Sequence, residues 1–413
     1  MTSIWIFNQY NMPPEYGHLN RHFNFGKYLN RMDYKPVVFV GSFLHNVNRQ
    51  MIHENVPYKK YENCEYPYFF VKTCDYSKSK LKRVYAMFEF YRNIFRTTRH
   101  MDKPDIILGS TAHPLVAIAA IRLAKKYGCE SIVEVRDLWP ESFVAYNIIK
   151  KNNPILKLLY LGEKWIYKNA DKLIFTMEGG RDYIIEKGWD KEQGGPIDIN
   201  KVHHLNNGVD LEVYDHDKNH FVLDDEDLND EESFKVIYTG SIRKVNKIDK
   251  VLDVAKVIRD KNIKFLLWGE GDQLESLKKR IINEGIDNVK FKGRIDKKKI
   301  PYITSKAQLN IVFGENMPLF RFGVSMNKMF DYFASGKPML FTFKVKYSLI
   351  DKYSAGIELE NSNAESIAQN ILYIKNLKQS TYDNYCRNSR KAAVDYSFNN
   401  LTNSLLNIMN SQN

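Results

Sequence analysis

The chain has 413 residues, 44% of them hydrophobic and 13% aromatic, which is too long for one ordinary core and suggests two domains of about 200 residues each. Formal net charge is +12, from 61 basic and 49 acidic side chains; that suits a polyanion, an anionic lipid surface or a phosphorylated small molecule, and equally plain solubility in a lysine-rich chain. Cys64, Cys74, Cys129 and Cys386 contain no Cys-x-x-Cys pair, the start "MTSIWIFNQY" lacks a signal-peptide layout, and apolar runs such as "PLVAIAAI" (114–121) are short, so zinc frameworks, disulfide scaffolds, a secretory leader and membrane spans are not expected, and a reducing cytoplasm is.

In chain order, "SIWIFNQ" (3–9) reads as a buried strand, residues 17–31 as a helix and "PVVFVGS" (36–42) as a strand, followed by an irregular, aromatic-rich stretch over 43–78. Residues 77–103 hold eight Lys or Arg against two acids, with Val84, Met87, Phe88, Tyr91 and Phe95 at roughly helical spacing. A basic amphipathic helix of this kind reads as a membrane-surface element, against the plainer reading of a helix packed on its own sheet. No RNA or DNA motif accompanies it, so nucleic acid is not an expected partner.

"DIILGS" (105–110) is a strand, "HPLVAIAAIRLAKKYG" (113–128) a helix with Pro at its start and Gly at its end, and "SIVEVRD" (131–137), "KLIFTM" (172–177) and "KVHHLNN" (201–207) are strands. The third of these ends in "EVRDLWPES", which offers Arg136, Asp137 and Glu141 as cleft residues: Asp137 to position an acceptor or act as base, or all three as a cluster that fixes the loop. His18, His22 and His113 are further cleft candidates, each more readily read as an ordinary loop histidine. Residues 215–232, "DHDKNHFVLDDEDLNDEE", read as an exposed acidic loop rather than a metal site.

The second half repeats the rhythm with strands at 234–240, 263–269, 289–293, 309–313, 338–343 and 356–360, and closes with helices at about 363–377, 380–393 and 397–411. Two doubly wound α/β domains follow, residues 1–205 (with 395–413 packing back on them) and 206–394, with ligands expected at the C-terminal ends of the strands and in a cleft between the sheets. "YTGSIRKVNKID" turns at Gly240 and enters a helix near Asn246, which puts Arg243 and Lys247 at an anion-binding helix start. "WGEGD" carries only two glycines of a dinucleotide fingerprint and is discounted as one. "VKFKGRID" offers Arg294 and Ile295 at a strand end, where backbone groups suit a flat base edge. In "SMNKMFDYFASGKPML" (325–340), Ser325 or Asn327 caps a helix whose free amides and Lys328 suit a diphosphate, with Asp331 one turn in as acceptor for ribose hydroxyls, and Gly336 as the stop.

"NKMFDYFASGKPML" resembles the "PNKLFEYMAAGKPVI" signature of glycosyltransferase family 4, and "FLLWGEGDQLESLKK", "NVKFKGRI" and "LNNGVDLEVY" match companion motifs in order and spacing. "NQYNMPPEYGHLNRHFNFGKYLNRMDYKPVVFVGS" and "VEVRDLWPES" resemble a bacterial branch that builds capsule or O-antigen units and includes N-acetylfucosamine-type amino-sugar transferases. The resemblance covers nearly the whole chain. It implies the GT-B fold, a nucleotide-sugar donor and retention of configuration without a bound metal or cofactor. The donor diphosphate would meet Arg243, Lys247 and the amides of Asn327 and Lys328, the base Arg294 and Ile295, the ribose Asp331, with Gly17 under the sugar phosphates from the N-terminal side. Two departures stand out. The first acid of the family's paired-Glu motif is Gly323 here, and Ser241 stands at the usual Arg of the phosphate loop. The expectation is a cytoplasmic, membrane-peripheral transferase that moves a hexosamine-type sugar from UDP to a lipid-linked acceptor, with a nucleotide-sugar 2-epimerase or a non-catalytic nucleotide-sugar binder as alternatives.

Overall fold

The computed structural model describes residues 1–17, 19–111, 113–258, 260 and 262–411. By its contacts the chain divides into two compact units, Met1–Asn206 together with the stretch from Leu401 onward, and Asn207–Asn400. Helices alternate with short, buried, β-branched or aromatic strands in both, the pattern of parallel sheets covered on two faces.

Unit 1 runs β1 (Ser3–Phe7), α1 (Arg21–Arg31), β2 (Lys35–Gly41), β3 (Phe43–Leu44), β4 (Arg49–Gln50), β5 (Tyr58–Lys60), β6 (Tyr68–Val71), α2 (Lys80–Thr97), β7 (Ile106–Ser110), α3 (Pro114–Tyr127), β8 (Glu130–Val135), α4 (Glu141–Ala145), α5 (Pro154–Asn169), β9 (Lys172–Phe175), α6 (Gly180–Glu186) and β10 (Val202–His204). Its eight-stranded sheet has the order β10-β9-β8-β7-β1-β2-β6-β5, parallel except for the edge pair β5–β6. The order reverses between β1 and β7. The aromatic stretch over 43–78 is therefore not irregular throughout: Tyr68–Val71 is an inner parallel strand, held by pairing with β2, and its Tyr and Phe residues pack as a ladder of edge-to-face rings. The expected helix over 17–31 begins only at Arg21, because a 3-10 turn over Pro14–Tyr16 ends at Gly17 with φ +154°. β1 ends at Phe7 rather than residue 9, since the Asn8 and Gln9 side chains turn to partners off the sheet.

Unit 2 continues with α7 (Leu211–His220), α8 (Glu226–Asn229), β11 (Phe234–Thr239), α9 (Lys250–Val257), β12 (Ile263–Trp268), α10 (Leu274–Glu284), β13 (Val289–Gly293), α11 (Ile300–Ser305), β14 (Leu309–Val312), α12 (Asn327–Ser335), β15 (Met339–Phe341), α13 (Leu349–Tyr353), β16 (Gly356–Glu358), α14 (Ala364–Lys375) and α15 (Gln379–Asp395). Its six parallel strands lie in the order β13-β12-β11-β14-β15-β16, reversing between β11 and β14. The last helix, α16 (Phe398–Asn410), leaves unit 2 at its first turn and belongs to unit 1 from Leu401, where Lys172 Nζ donates to the carbonyl of Met409 at 2.8 Å.

The acidic stretch 215–232 is not the exposed loop that its composition predicts. Asp210 and Asp225 cap α7 and α8 by accepting backbone N–H bonds. The acids then meet a row of lysines on the sheet edge: Lys290 and Lys292 on β13 and Lys264 on β12 bond Asp225, Asp227 and Asp230 at 2.6–2.9 Å. Charge pairing, invisible to periodicity, folds the segment onto the sheet.

Candidate functional site

In an open parallel sheet the ligand crevice lies beyond the strand C-termini where the order reverses. In unit 2 that place is flanked by Gly240, after β11, and by Gly314 and Glu315, after β14. α12 starts over it. Its phenol Tyr332, fully buried, accepts the backbone N–H of Thr239 at 2.9 Å and pins the helix to the end of β11. The N-cap is Met326, whose side chain caps nothing. Neither Ser325 nor Asn327 caps the helix as expected: Ser325 Oγ instead accepts from the backbone N–H of Asn207 at 3.1 Å. The amides at the start of α12 are thus left without a side-chain cap, the condition for anion binding at a helix start.

Lys328 reaches from that first turn to the strand end. Its Nζ donates to Tyr238 Oη at 3.0 Å and stands 4.3 Å over the same ring. A Cβ on Gly240 would meet this ammonium at 2.8 Å and the Tyr238 hydroxyl at 3.0 Å, at a φ of +149°, so Gly240 is needed both for its turn and for its smallness. Burial holds the Lys328 ammonium below its ordinary pKa, and Tyr332 partly offsets this. The two glycines after β12 are explained by packing. A Cβ on Gly269 would meet the carbonyl of Gly240 at 1.7 Å, and one on Gly271 the carbonyl of Ile242 at 2.1 Å; the backbone of 240–242 crosses them and bonds to Trp268 and Glu270.

Asp331, one turn into α12, is half-buried. Burial pushes its carboxyl up to about 6, and the positive charge of Lys297, two residues past Ile295, pulls it only partly back. No hydrogen bond to its carboxylate is made among the described residues. A half-buried carboxylate with no donor from the described residues is placed to accept hydroxyl donors from a bound molecule.

The other donor-side candidates lie on the same strand-end edge but are engaged differently. Arg243 is exposed and begins a 3-10 turn, Lys244–Asn246, and the helix starts at Lys250, not near Asn246. Lys247, at φ +52°, pairs with Glu315 at 2.9 Å, with Lys250 3.8 Å from the same carboxylate. Ser241 is tied by Asn246 Nδ2, which donates to its carbonyl and hydroxyl at 2.7 and 2.8 Å. Arg294 is exposed, whereas Ile295 packs with Leu228, Trp268 and Ile303. Gly323 has φ +86°, which explains a glycine in backbone terms. A separate open cavity of about 510 Å³, lined by Asn316, Phe320, Arg321, Lys344 and Lys346 among others, adjoins the 314–323 loop but does not include Lys328 or Asp331.

In unit 1 the reversal point lies between Asn8–Gln9 and Ser110–His113. Among the described residues Gly17 keeps to its own turn: its amide bonds the carbonyl of Pro14 at 3.3 Å, and a Cβ there would meet Met12 Sδ at 2.9 Å. A residue that sequence reasoning missed, Glu134, organises the place. It is fully buried in β8 and accepts from Arg21 Nε and Ser110 Oγ at 2.8 Å each, with His22 Nε2 at 3.0 Å. Arg21 also donates to the carbonyls of Leu205 and Asn206 at 2.9 and 2.6 Å, and Asn8 Nδ2 lies 3.0 Å from His22 Nδ1. The one available signal was an acid inside the apolar strand "SIVEV". His22 thus belongs to this buried network. His113 is buried against Gln9, 2.5 Å between Nε2 and Oε1, and burial pulls its imidazole down to about 3, helped by Arg83. His18 lies outside the described residues.

Arg136 and Asp137 follow β8, half-buried and exposed respectively. Glu141 does not stand free beside them. It is buried at the start of α4, takes Lys187 Nζ at 2.5 Å and the Tyr160 hydroxyl, and so serves the frame of the loop rather than an open site. Among the described residues, no three His, Cys, Asp or Glu side chains converge as metal ligands would, and no helix is long and apolar enough to cross a membrane.

Comparison with known proteins bears on both units. Residues 71–194 match the model of the glycosyl transferase 4-like domain, and residues 222–392 that of glycosyl transferases group 1. A probable glycosyltransferase of Pseudomonas aeruginosa, WbjE, is 22% identical over 260 residues, 62% of this chain and 61% of that protein. Sucrose-phosphate synthase from Thermosynechococcus elongatus superposes with a TM-score of 0.71 at 13% identity, over 99% of this chain and 98% of its own. Anabaena HepE, solved in complex with UDP and glucose, superposes with a TM-score of 0.67 at 14% identity, over the whole of both chains. These likenesses give the GT-B fold.

Proposed function

Taking the chain as the glycosyltransferase that its two matched domains make it, we propose that it moves a sugar, of the N-acetylated amino type, from a UDP-sugar to a lipid-linked saccharide. The setting would be assembly of a capsular polysaccharide or O-antigen unit, at the inner face of the cell membrane. Unit 2 takes the donor and unit 1 the acceptor. The observation that carries the reading is Asp331: an unpartnered, desolvated carboxylate one turn into a helix whose uncapped start holds Lys328.

In this reading Asp331 accepts the ribose hydroxyls. Lys328, the amides of Asn327 and Lys328, and Arg243 hold the diphosphate, and the backbone at Arg294–Ile295 pairs the base edge. Lys247 joins them once it is drawn from Glu315. Positive charge fixed where the leaving diphosphate gains negative charge stabilises bond breaking at the anomeric carbon. The acceptor hydroxyl attacks that carbon from the face UDP leaves, its proton passes to the departing phosphate, and configuration is retained without a metal. Asp137, exposed past β8 and flanked by Arg136, orients the acceptor. HepE's complex with UDP and glucose supports the choice of UDP.

α2 supports the lipid-linked acceptor. Of its apolar residues, Phe90 and Ile94 pack into the sheet, but Leu81, Val84, Tyr85 and Phe88 form an exposed i, i+3, i+4, i+7 stripe, flanked by Lys80, Lys82 and Arg92. Such a stripe suits an anionic bilayer surface. Calorimetric titration of UDP and of GDP, each with and without magnesium, tests the donor site: tight UDP binding indifferent to magnesium is expected, and absence of binding by either nucleotide would reduce the start of α12 to a structural feature. Release of a free sugar nucleotide epimer without acceptor would instead identify an epimerase.

A further inference from the structure

The apolar stripe of α2 has a counterpart in the same unit. α5 buries Leu156, Ile166 and Tyr167 and leaves Ile155, Leu158, Leu161 and Trp165 exposed, Leu158 by 68%. At 100° per residue these four fall within about one third of the helix circumference. The turn before the helix adds Tyr146 and Ile148, the latter 66% exposed. That turn is ordered, since the amides of Ile148 and Ile149 bond the carbonyl of Phe143 at 2.8 and 3.2 Å. Isolated exposed apolar residues need no account, but six together do.

Charge says what covers them. Between Tyr146 and Asn169 stand Lys150, Lys151, Lys157, Lys164 and Lys168, and a single acid, Glu163. Glu163 points inward, 5% exposed, and accepts from the hydroxyls of Tyr167 and Tyr183 at 2.7 and 2.8 Å. The outward surface is therefore apolar and cationic only. Lys157, Lys164 and Lys168 fall on one flank of the stripe, where their ammonium groups can reach up to an anionic plane while Leu and Ile enter an apolar one. A second copy of the same surface would bring these lysines against one another, which disfavours self-pairing.

Position gives the surface a purpose. The crossovers through α2, α3 and α5 all run toward the β10 edge, so right-handed connection puts the three helices on one face of the sheet, and α3 packs against both of the others. Crossover helices run antiparallel to their strands, so the starts of α2 and α5 lie at the edge where β1, β7 and β8 end. A contact bears this out for α2: Arg83 stacks 5.4 Å over Tyr10, past the end of β1. Both stripes are strongest in the first turns of their helices, on either side of the strand ends that carry Gln9, His113 and Asp137.

We infer that α5 and the turn at Tyr146–Ile148 form a second lipid-contacting element, which with α2 seats the strand-end rim of unit 1 on an anionic bilayer from two sides. The inference rests on the membrane reading of α2 given above. A membrane-embedded acceptor then presents its head group to Asp137 between two anchors, and the unit is held at a fixed orientation, which one helix alone does not provide.

The test is co-sedimentation of the full chain with phosphatidylglycerol-containing vesicles, and with pure phosphatidylcholine vesicles, at physiological salt. Three proteins are compared: the natural chain, Ile155→Gln/Leu158→Gln/Leu161→Gln, and Lys80→Glu/Lys82→Glu/Arg83→Glu. The replaced side chains are exposed, and an unchanged far-UV circular dichroism spectrum and urea midpoint in each variant verify the fold. The α5 variant is expected to lose about a hundredfold in partitioning to anionic vesicles, and the natural chain to favour anionic over neutral vesicles. An α5 variant that partitions like the natural chain, while the α2 variant does not, overturns the inference and leaves the α2 reading standing. Loss in the α5 variant alone removes the α2 reading instead. No vesicle binding by the natural chain ends both. A concentration-dependent dimer in solution that only the α5 variant abolishes, with vesicle binding intact, assigns the stripe to a second copy and likewise overturns it.

Discussion

Each unit sets a carboxylate near the reversal of its strand order, Glu134 fully buried and Asp331 half-buried, and the two carboxylates are in opposite states. Around Glu134 in unit 1 the chain has supplied every partner. Burial alone would raise its pKa, but the charge of Arg21 and the contact with His22 more than reverse this and hold the carboxyl well below its ordinary range. Around Asp331 in unit 2 the described residues supply the charge of Lys297 and no hydrogen-bond donor, so burial wins and the carboxyl rises to about 6. A carboxylate whose donors are folded in with it belongs to the frame. One desolvated and left without donors carries an unmet cost that a ligand can remove, and perturbed groups of this kind mark sites.

The sharpest way to break the comparison is to delete one partner in each crevice. Arg21→Ala removes a guanidinium that serves Glu134 and two carbonyls, and leaves a buried carboxylate without its main counter-charge. We expect a loss of about 3–5 kcal/mol of stability, read as a shift in urea midpoint. Its UDP affinity should be unchanged at denaturant concentrations well below the transition. A loss under about 1 kcal/mol would mean that the Glu134 network is not the frame described above.

Asp331→Ala should behave in the opposite way. No hydrogen-bond partner among the described residues is orphaned, and Lys297, the cation that faces the acid, is exposed to solvent, so the urea midpoint should hold or rise slightly. UDP affinity should fall by about 1.5–3 kcal/mol, the scale of a hydrogen bond to a charged group. Unaltered UDP affinity would sink the assignment of this residue to the ribose.

How much of this contrast could be read in the sequence differs between its two sides. The donor-side candidates come as short strings at strand ends, and a string such as "NKMFDYFASGKP" carries its own helix start, charge and stop. Local order along the chain was therefore enough to single out Lys328 and Asp331. That Lys328 would rest on Tyr238, beside a glycine 88 positions upstream, was not legible, because it depends on α12 crossing the end of β11. The Glu134 network was invisible for the same reason at greater cost: Asn8, the Arg21–His22 pair, Ser110 and Glu134 lie on four separate segments, and only sheet order brings them together. The acidic segment 215–232 was misread because the acids around its second helix, α8, are held by lysines on β12 and β13, not by an apolar stripe of its own. The helix expected within 77–103 stands at Lys80–Thr97, but the sequence periodicity mixed its buried and exposed apolar faces; Phe90 and Ile94 pack inward while Leu81 and Val84 do not.

The pH dependence of nucleotide binding gives a subtler contrast. Hydroxyl donors bind the ionised form of Asp331, so a bound ribose lowers its pKa below the free value of about 6. Affinity for UDP should then be constant above that pH and decline as pH falls through it, by up to about tenfold per unit, with proton release accompanying binding near pH 6. Asp331→Asn should bind more weakly at pH 7.5 and show a flat profile between pH 5 and 7.5 after correction for the nucleotide's own phosphate. Calorimetry in two buffers of different ionisation enthalpy measures the proton release directly. A natural chain with a flat profile would mean that the acid is not ionised against the ligand.

The smallest expected effect concerns the pair between Lys247 and Glu315, which lies across the same reversal in unit 2. Both side chains are substantially exposed, at 32% and 48%, so Glu315→Gln should change stability by under about 1 kcal/mol. Its effect on UDP-sugar affinity is the informative part. If the pair only holds Lys247 in reserve, freeing the amine should strengthen donor binding a few-fold, and the gain should vanish in high salt, where such exposed charges are screened. If affinity for the UDP-sugar falls while affinity for UDP itself does not, then Glu315 touches the sugar. It would then stand in for the acid absent at Gly323, eight residues out of register, and the pair would be a positioning contact for that carboxylate rather than a restraint on the lysine.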